Sequence, residues 1–224
     1  MYSPNMLKTF ESCPQKYWFK YVQKISVPQK SSTFEKGKKI HALAHYYLRG
    51  DDITKLEKAL NSEEKQVWQN LKQNEYFQKT YVNSEYNLSC KVGDYWVGGR
   101  LDALVKETLT PSPKGRGEKV YYILDYKTGQ IPKNPEYDFQ TAVYLLCVSK
   151  KLNPPLTPPL QSEGEKVNVK FVYIDLKNNQ NCVIDFDKDY EKQIIEVCQK
   201  IANIEPKAEK SKKCEFCEYN KICF

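Results

Sequence analysis

Between residues 84 and 186, apolar residues alternate with polar ones or run unbroken in five short segments; around and between these they recur at three- and four-residue spacing. The first pattern predicts strands over SEYNLSCKV (84–92), YWVGGRLDALV (95–105), VYYILDYKT (120–128), VKFVYIDL (169–176) and NCVIDF (181–186). YYIL is apolar on both faces, which predicts a central strand. The second pattern predicts helices. Ser3 and Pro4 offer an N-cap and first helical position for a helix through Leu7 and Phe10, and Pro14 ends it and opens another over KYWFKYV. Ile40, Leu43, Ala44, Tyr47 and Leu48 stripe a helix near 33–49, and a more polar helix is predicted from Thr54 to about Lys72. YDFQTAVYLLCVSKKL (137–152) is the next. A last helix, capped by Asp187 and running to Ile204, buries Ile194, Val197, Cys198, Ile201 and Ile204.

Strands with helices on either side predict an α/β sheet, mostly parallel but with hairpins. A chain of 224 residues can bury one substantial core. The expectation is therefore one domain: a helical arm (residues 1–75), an α/β core (80–205) and a cysteine-bearing tail (206–224). Two segments resist this scheme. LTPSPKGRGEKV (109–120) and LTPPLQSEGEKV (156–167) share L-T-P at one end and G-E-K-V at the other. Rich in proline, glycine and charge, they are read as two related insertions into surface loops, which cost only ~0.6 kcal/mol per doubling of loop length. The alternative is a flap in which Arg116 and the nearby lysines guide a polyanion.

The net charge of +7 suits a polyanionic partner, because each lysine or arginine that displaces a counterion from phosphate adds salt-sensitive affinity. The 17 tyrosines could stack on unpaired bases, although most are expected to be packing residues. AVYLLCV, the longest apolar run, is far below the ~20 residues that span a bilayer, so no membrane role and a cytoplasmic location are expected.

Candidate chemistry sits in two predicted strands, in GRLD within the second and in DYKTG at the end of the third. Side chains two apart on a strand share a face, so Asp125 and Lys127 project together while Tyr126 points away. With Asp102 they offer two carboxylates for Mg²⁺ or Mn²⁺ and an amine to orient or deprotonate a water. Such a cation lowers the pKa of water and stabilises charge on phosphate. On an exposed strand face the same alternation would be a solvated surface; the apolar strand before it argues for a site. Glu85, one strand earlier, reads as a surface carboxylate.

Cysteines supply a second signal. Eight occur without a signal peptide, which favours metal or cluster ligation over a secreted disulfide framework for any grouped subset. Cys214, Cys217 and Cys223 form C-x₂-C-x₅-C, three ligands for either zinc or an iron–sulfur cluster, each of which needs a fourth. Cys90, Cys147, Cys182 and Cys198 fall in predicted strands and helices and are read as core.

GRLD and DYKTG, followed by Gln140 and Tyr144 in QTAVY and preceded by His41 in GKKIH, resemble the PD-(D/E)XK nucleases of the RecB type over nearly the whole chain. The resemblance implies a restriction-endonuclease-like mixed sheet flanked by helices. It implies Asp102 and Asp125 as metal ligands, Lys127 as catalytic lysine, and His41 and the Tyr126 carbonyl as further ligands. It also implies that Gln140 and Tyr144, on one helix face, position the DNA strand. Cys13, in a Cys-Pro pair, would join the C-terminal triplet around a [4Fe-4S] cluster that staples the termini; zinc is the alternative. His45 stands where relatives often carry an acid.

These readings converge on a metal-dependent DNA nuclease, an exonuclease on single-stranded or frayed ends, and the resemblance implies that it leaves a 5′-phosphate and a 3′-hydroxyl. No G-x₄-G-K-[ST] loop is present, so resection of duplex would need a helicase partner. The resemblance leaves two placements open, recombination and repair or CRISPR adaptation with its partner proteins. Competing readings are a non-catalytic nucleic-acid-binding module with a structural four-cysteine site, and a phosphatase or small-nucleotide hydrolase.

Overall fold

A computed structural model describes residues 1–27, 32–108, 119–152, 167–206 and 209–223, with the side chains of 32–36 left aside. Five strands are hydrogen-bonded in chain order: β1 (Thr80–Val92), β2 (Tyr95–Thr108), β3 (Lys119–Lys127), β4 (Asn168–Asp175) and β5 (Gln180–Asp185). β1–β2, β2–β3 and β4–β5 are antiparallel, and β3–β4 alone is parallel. The sheet is therefore mixed, but mainly antiparallel rather than mainly parallel. Among the described residues, the connection between β3 and β4, through α6 (Phe139–Leu152), is the one that carries a helix able to return the chain to the same end of the sheet.

Strand alternation sorts the core into two layers. Ile123, Leu101, Phe171 and Tyr173 pack against α6, α7 (Tyr190–Ala202) and the N-terminal helix α1 (Pro4–Ser12). Tyr122, Leu124, Tyr126, Ala103 and Val105 pack on the opposite face, against α3 (Ser32–Leu48), α5 (Ser62–Gln73) and Ile53 and Leu60, which flank the short α4 (Thr54–Lys58). The predicted helix from Thr54 to Lys72 is thus two. Asn61 restarts the chain as an N-cap, its Oδ1 accepting from Glu64 N at 2.9 Å while Glu64 Oε2 accepts from Asn61 N at 2.9 Å. Ser3 caps α1 as expected, accepting from Met6 N. The last helix begins later than predicted: Asp187 accepts from Asp189 N in the turn before it, and Asp189 takes the cap position. Cys90, Cys147 and Cys198 are buried as expected, whereas Cys182 on the edge strand β5 is only half-buried.

Pro14 opens α2 (Pro14–Tyr17), which runs on as a π-helical turn, Trp18–Val22. The tail, with α8 (Asn220–Cys223), docks on this segment. Tyr219 is buried and donates to Ile25 O at 3.0 Å, its ring lies 5.7 Å from that of Phe19, and Lys16 Nζ pairs with Glu218 Oε2 at 2.9 Å. Almost all of the two L-T-P…G-E-K-V segments lies outside the described residues. Among the described residues no helix is long and apolar enough to cross a membrane.

Candidate active site

β3 ends at Lys127, and beyond it the sheet face gives way to an open cleft of about 560 Å³ lined by Lys38, His41, His45, Tyr46, Glu85, Arg100, Asp102 and Thr128. Period-2 geometry sends Asp125 and Lys127 to the α6 face together, as predicted, and Lys127 Nζ lies 2.7 Å from Asp125 Oδ2. Tyr126 turns the other way, into the core beneath α3. Across the sheet, Asp102 on β2 accepts from the Tyr126 backbone N–H at 3.0 Å, which fixes one carboxylate oxygen against the neighbouring strand.

Two helices complete the centre from opposite sides. α3 brings His41, whose Nδ1 lies 3.2 Å from Asp102 Oδ1 and whose Nε2 is 3.1 Å from the Tyr126 carbonyl. α6 brings Gln140. Asp138 caps that helix, accepting from Gln140 N at 2.8 Å and pairing with Lys8 at 2.7 Å, so the first turn is anchored at both its own cap and α1. The Gln140 amide then donates to Asp125 Oδ1 and accepts from Lys127 Nζ at 3.1 Å, clamping acid and base in one orientation.

Tyr144 is the residue placed differently from expectation. It shares the Gln140 face but is buried, and its hydroxyl donates to Arg100 O at 2.9 Å instead of facing the cleft. It holds the GRLD strand through a fit that only glycine permits: a Cβ at Gly99 would stand 2.8 Å from the Tyr144 hydroxyl. His45 lines the cleft and meets Ser84 Oγ at 2.7 Å.

Glu85 is the residue that sequence reasoning set aside. It sits opposite Asp102, between the pairs Ser84↔Ala103 and Tyr86↔Leu101, just past a register shift at Tyr81/Asn83. Its φ of 49° is the left-handed region, which costs a non-glycine residue on the order of 1 kcal/mol or more. Its carboxylate pairs with Arg100 Nε at 2.8 Å. Donor atoms of His41, Glu85 and Asp102 all lie within 4.8 Å of one another. An alternating acid on a predicted strand carries no mark of this; the backbone irregularity does.

Burial and charge tune the centre. Asp125 is buried, and loss of solvation, with the charge of Asp102 added, lifts its pKa to about 6, although Lys127 and His41 pull the other way. His41 is lowered by burial, but its hydrogen bond to Asp102, the charges of Asp102 and Asp125 and the Tyr126 carbonyl outweigh this and raise it. Carboxylates crowded together with an imidazole and a carbonyl are the donors a hard divalent cation takes. Their mutual repulsion is what such a cation would relieve, so the residues fit one.

The cysteines form a second centre. Cys13, Cys214, Cys217 and Cys223 line one pocket with Lys16, Phe19 and Tyr219. Cys223 is raised by burial and then by the three neighbouring thiols. The structure thus brings together the four cysteines that the resemblance groups, from the two ends of the chain.

A family model described as the PD-(D/E)XK nuclease superfamily matches residues 1–108 and 84–224. The fold is similar to the crystal structure of a protein from Eubacterium rectale named as a candidate exonuclease, with TM-score 0.57 and 14% identity, covering 98% of this chain and 86% of that one. SSO0001 is a weaker likeness, with TM-score 0.34 and 17% identity over 65% of this chain and 59% of that one, and carries no argument. No curated protein matches the chain.

Proposed function

The chain belongs to the PD-(D/E)XK nuclease superfamily, and from that premise we propose that it is a divalent-metal-dependent deoxyribonuclease, an exonuclease acting on single-stranded or frayed DNA ends. The observation that carries this reading is the clamp at the end of β3, where Lys127, Asp125 and Gln140 are locked together beside Asp102 and His41. Asp102, Asp125, His41 and the Tyr126 carbonyl would hold the cation. When bound, Mg²⁺ or Mn²⁺ supplies a lowered water pKa and compensation for charge building on the phosphate. Lys127 orients the attacking water and takes part in its proton transfer, with Gln140 setting the direction of the amine. Attack in line with the scissile bond leaves a 5′-phosphate and a 3′-hydroxyl. The cleft supports a DNA strand as substrate: Lys38 and Arg100 offer cations to the backbone, and Tyr46, 41% exposed, offers a ring for a base.

At the second centre, Cys13, Cys214, Cys217 and Cys223 would hold a [4Fe-4S] cluster, with zinc the alternative occupant. Either would bond the tail, which rests on Tyr219 and Glu218, to the first helices. A broad absorbance band near ~400 nm in anaerobically purified protein, lost in Cys217→Ser, supports the cluster, and bound zinc without iron refutes it. A helicase, if duplex is resected, or CRISPR adaptation proteins are the partners this reading admits.

The test uses end-labelled single- and double-stranded DNA in EDTA, Mg²⁺ and Mn²⁺, with a closed circle as control. The proposal predicts metal-dependent cleavage that is faster on single strands and abolished in Asp125→Ala, with the circle intact. Binding without cleavage in every metal would sink the catalytic assignment, and cutting of the circle would sink the exonuclease.

A further inference from the structure

The donors a cation could reach extend beyond the set assigned above. Asp125 Oδ1 takes the Gln140 amide, while its buried Oδ2 lies 2.7 Å from Lys127 Nζ and has no hydrogen-bond partner, which leaves it a donor for a cation. Asp102 has one oxygen tied to the Tyr126 N–H and turns the other toward His41. Among the described residues, Glu85 is a third side chain with a donor within 4.8 Å of both Asp102 and His41.

We infer that Glu85 is a ligand of the divalent cation at this centre, and that Arg100 holds its carboxylate until the cation displaces it. This rests on the nuclease reading and adds a residue and an exchange to it. Glu85 departs from the ladder in a left-handed backbone while its neighbours Ser84 and Tyr86 stay paired with β2. That departure sets its carboxylate beside Asp102. Its present partner is a stand-in of matching charge. The Arg100 side chain is 64% exposed, against 23% for Glu85, so the guanidinium can swing into water at little cost while the carboxylate stays where it is. A hard cation bound by imidazole and two carboxylates competes well with one exposed ion pair. Once released, Arg100 stands on the cleft wall with its donors free for a phosphate oxygen, so cation entry would also arm the strand-binding surface.

Mn²⁺ alone, without DNA, tests the exchange. The six-line spectrum of free Mn²⁺ disappears on binding, so electron paramagnetic resonance titrations give affinities for wild type, Glu85→Gln and Arg100→Met, with folding checked by circular dichroism. Glu85→Gln should weaken Mn²⁺ binding roughly tenfold or more, the range seen when a metal site loses a supporting group. Arg100→Met should tighten it several-fold, because the competitor is gone; a purely structural pair would not give that opposite sign. Wild-type affinity in Glu85→Gln, or unchanged or weaker binding in Arg100→Met, overturns the inference while leaving the nuclease centre standing. Absence of Mn²⁺ binding by the wild type would instead overturn the metal centre itself, and Glu85 with it.

Discussion

Burying Asp125 beside Asp102 should destabilise the metal-free protein, and the cost can be read from the pH dependence of stability. An unfolded aspartate titrates near 3.8 and folded Asp125 near about 6, because burial and the Asp102 charge oppose its ionisation more than Lys127 and His41 favour it. The folded state therefore holds that proton more tightly. Its contribution is fully present below pH 3.8 and is lost as pH rises through about 6. At 1.36 kcal/mol for each tenfold in proton affinity, the loss is ~3 kcal/mol by neutral pH. Asp125→Asn removes the titration. In EDTA, the unfolding free energy of Asp125→Asn relative to wild type should rise by ~3 kcal/mol between pH 3 and pH 7.5. For a chain of this size that is a relative gain in Tm of about 6–12 °C. Urea unfolding at several pH values, with thermal melts in parallel, measures it. Saturating Mg²⁺ at pH 7.5 should then stabilise wild type far more than the variant. A difference that stays flat across this range, or that grows toward acid, would refute the account of a carboxylate ionised at the expense of folding.

The remaining predictions concern the parts around that carboxylate. Gly99→Ala would press a methyl to 2.8 Å from the Tyr144 hydroxyl and break its bond to Arg100 O, so unfolding free energy should fall by ~1–3 kcal/mol, read from the urea midpoint. An unchanged midpoint would mean that β2 is not held this way. His41 is raised by its carboxylate neighbours despite burial, and a cation needs it neutral, so Mn²⁺ uptake near pH 6.5 should expel a proton and weaken as pH falls. Calorimetry in buffers of different ionisation enthalpy detects this, and heats independent of buffer would contradict it.

The legible parts of the sequence are those where backbone geometry leaves no choice. In YYILDYK, alternation alone placed Ile123, Asp125 and Lys127 on one face and Leu124 and Tyr126 on the other, and packing follows that division. Ser3-Pro4 marked the first helix because a cap and a fixed φ are local chemistry. What stayed hidden depends on three-dimensional partners. Strand direction is not written in a strand, so alternating strands and helices predict a mainly parallel sheet where the fold is mainly antiparallel. The helix break at Asn61 was masked by a polar run with helical composition throughout. The resemblance implies that Tyr144 positions the DNA strand, and its burial beside β2 depends on Gly99, whose missing Cβ makes room for it far away in sequence. Glu85 looked like any surface carboxylate, because the left-handed backbone that turns it toward Asp102 leaves no trace in residue type. The motif halves GRLD and DYKTG were conspicuous, but the side chains that align them, Gln140 through Asp138 and Asp102 through the Tyr126 N–H, are fixed by tertiary contacts.

The central claim is that Lys127, clamped by Asp125 and Gln140, performs the proton work of metal-dependent strand cleavage. Single-turnover cleavage of end-labelled single-stranded DNA by Lys127→Met, under conditions where Mn²⁺ binding matches wild type, tests it most directly. The account predicts a rate at least ~10²-fold lower with DNA and metal still bound. Cleavage at the wild-type rate by that variant would contradict it.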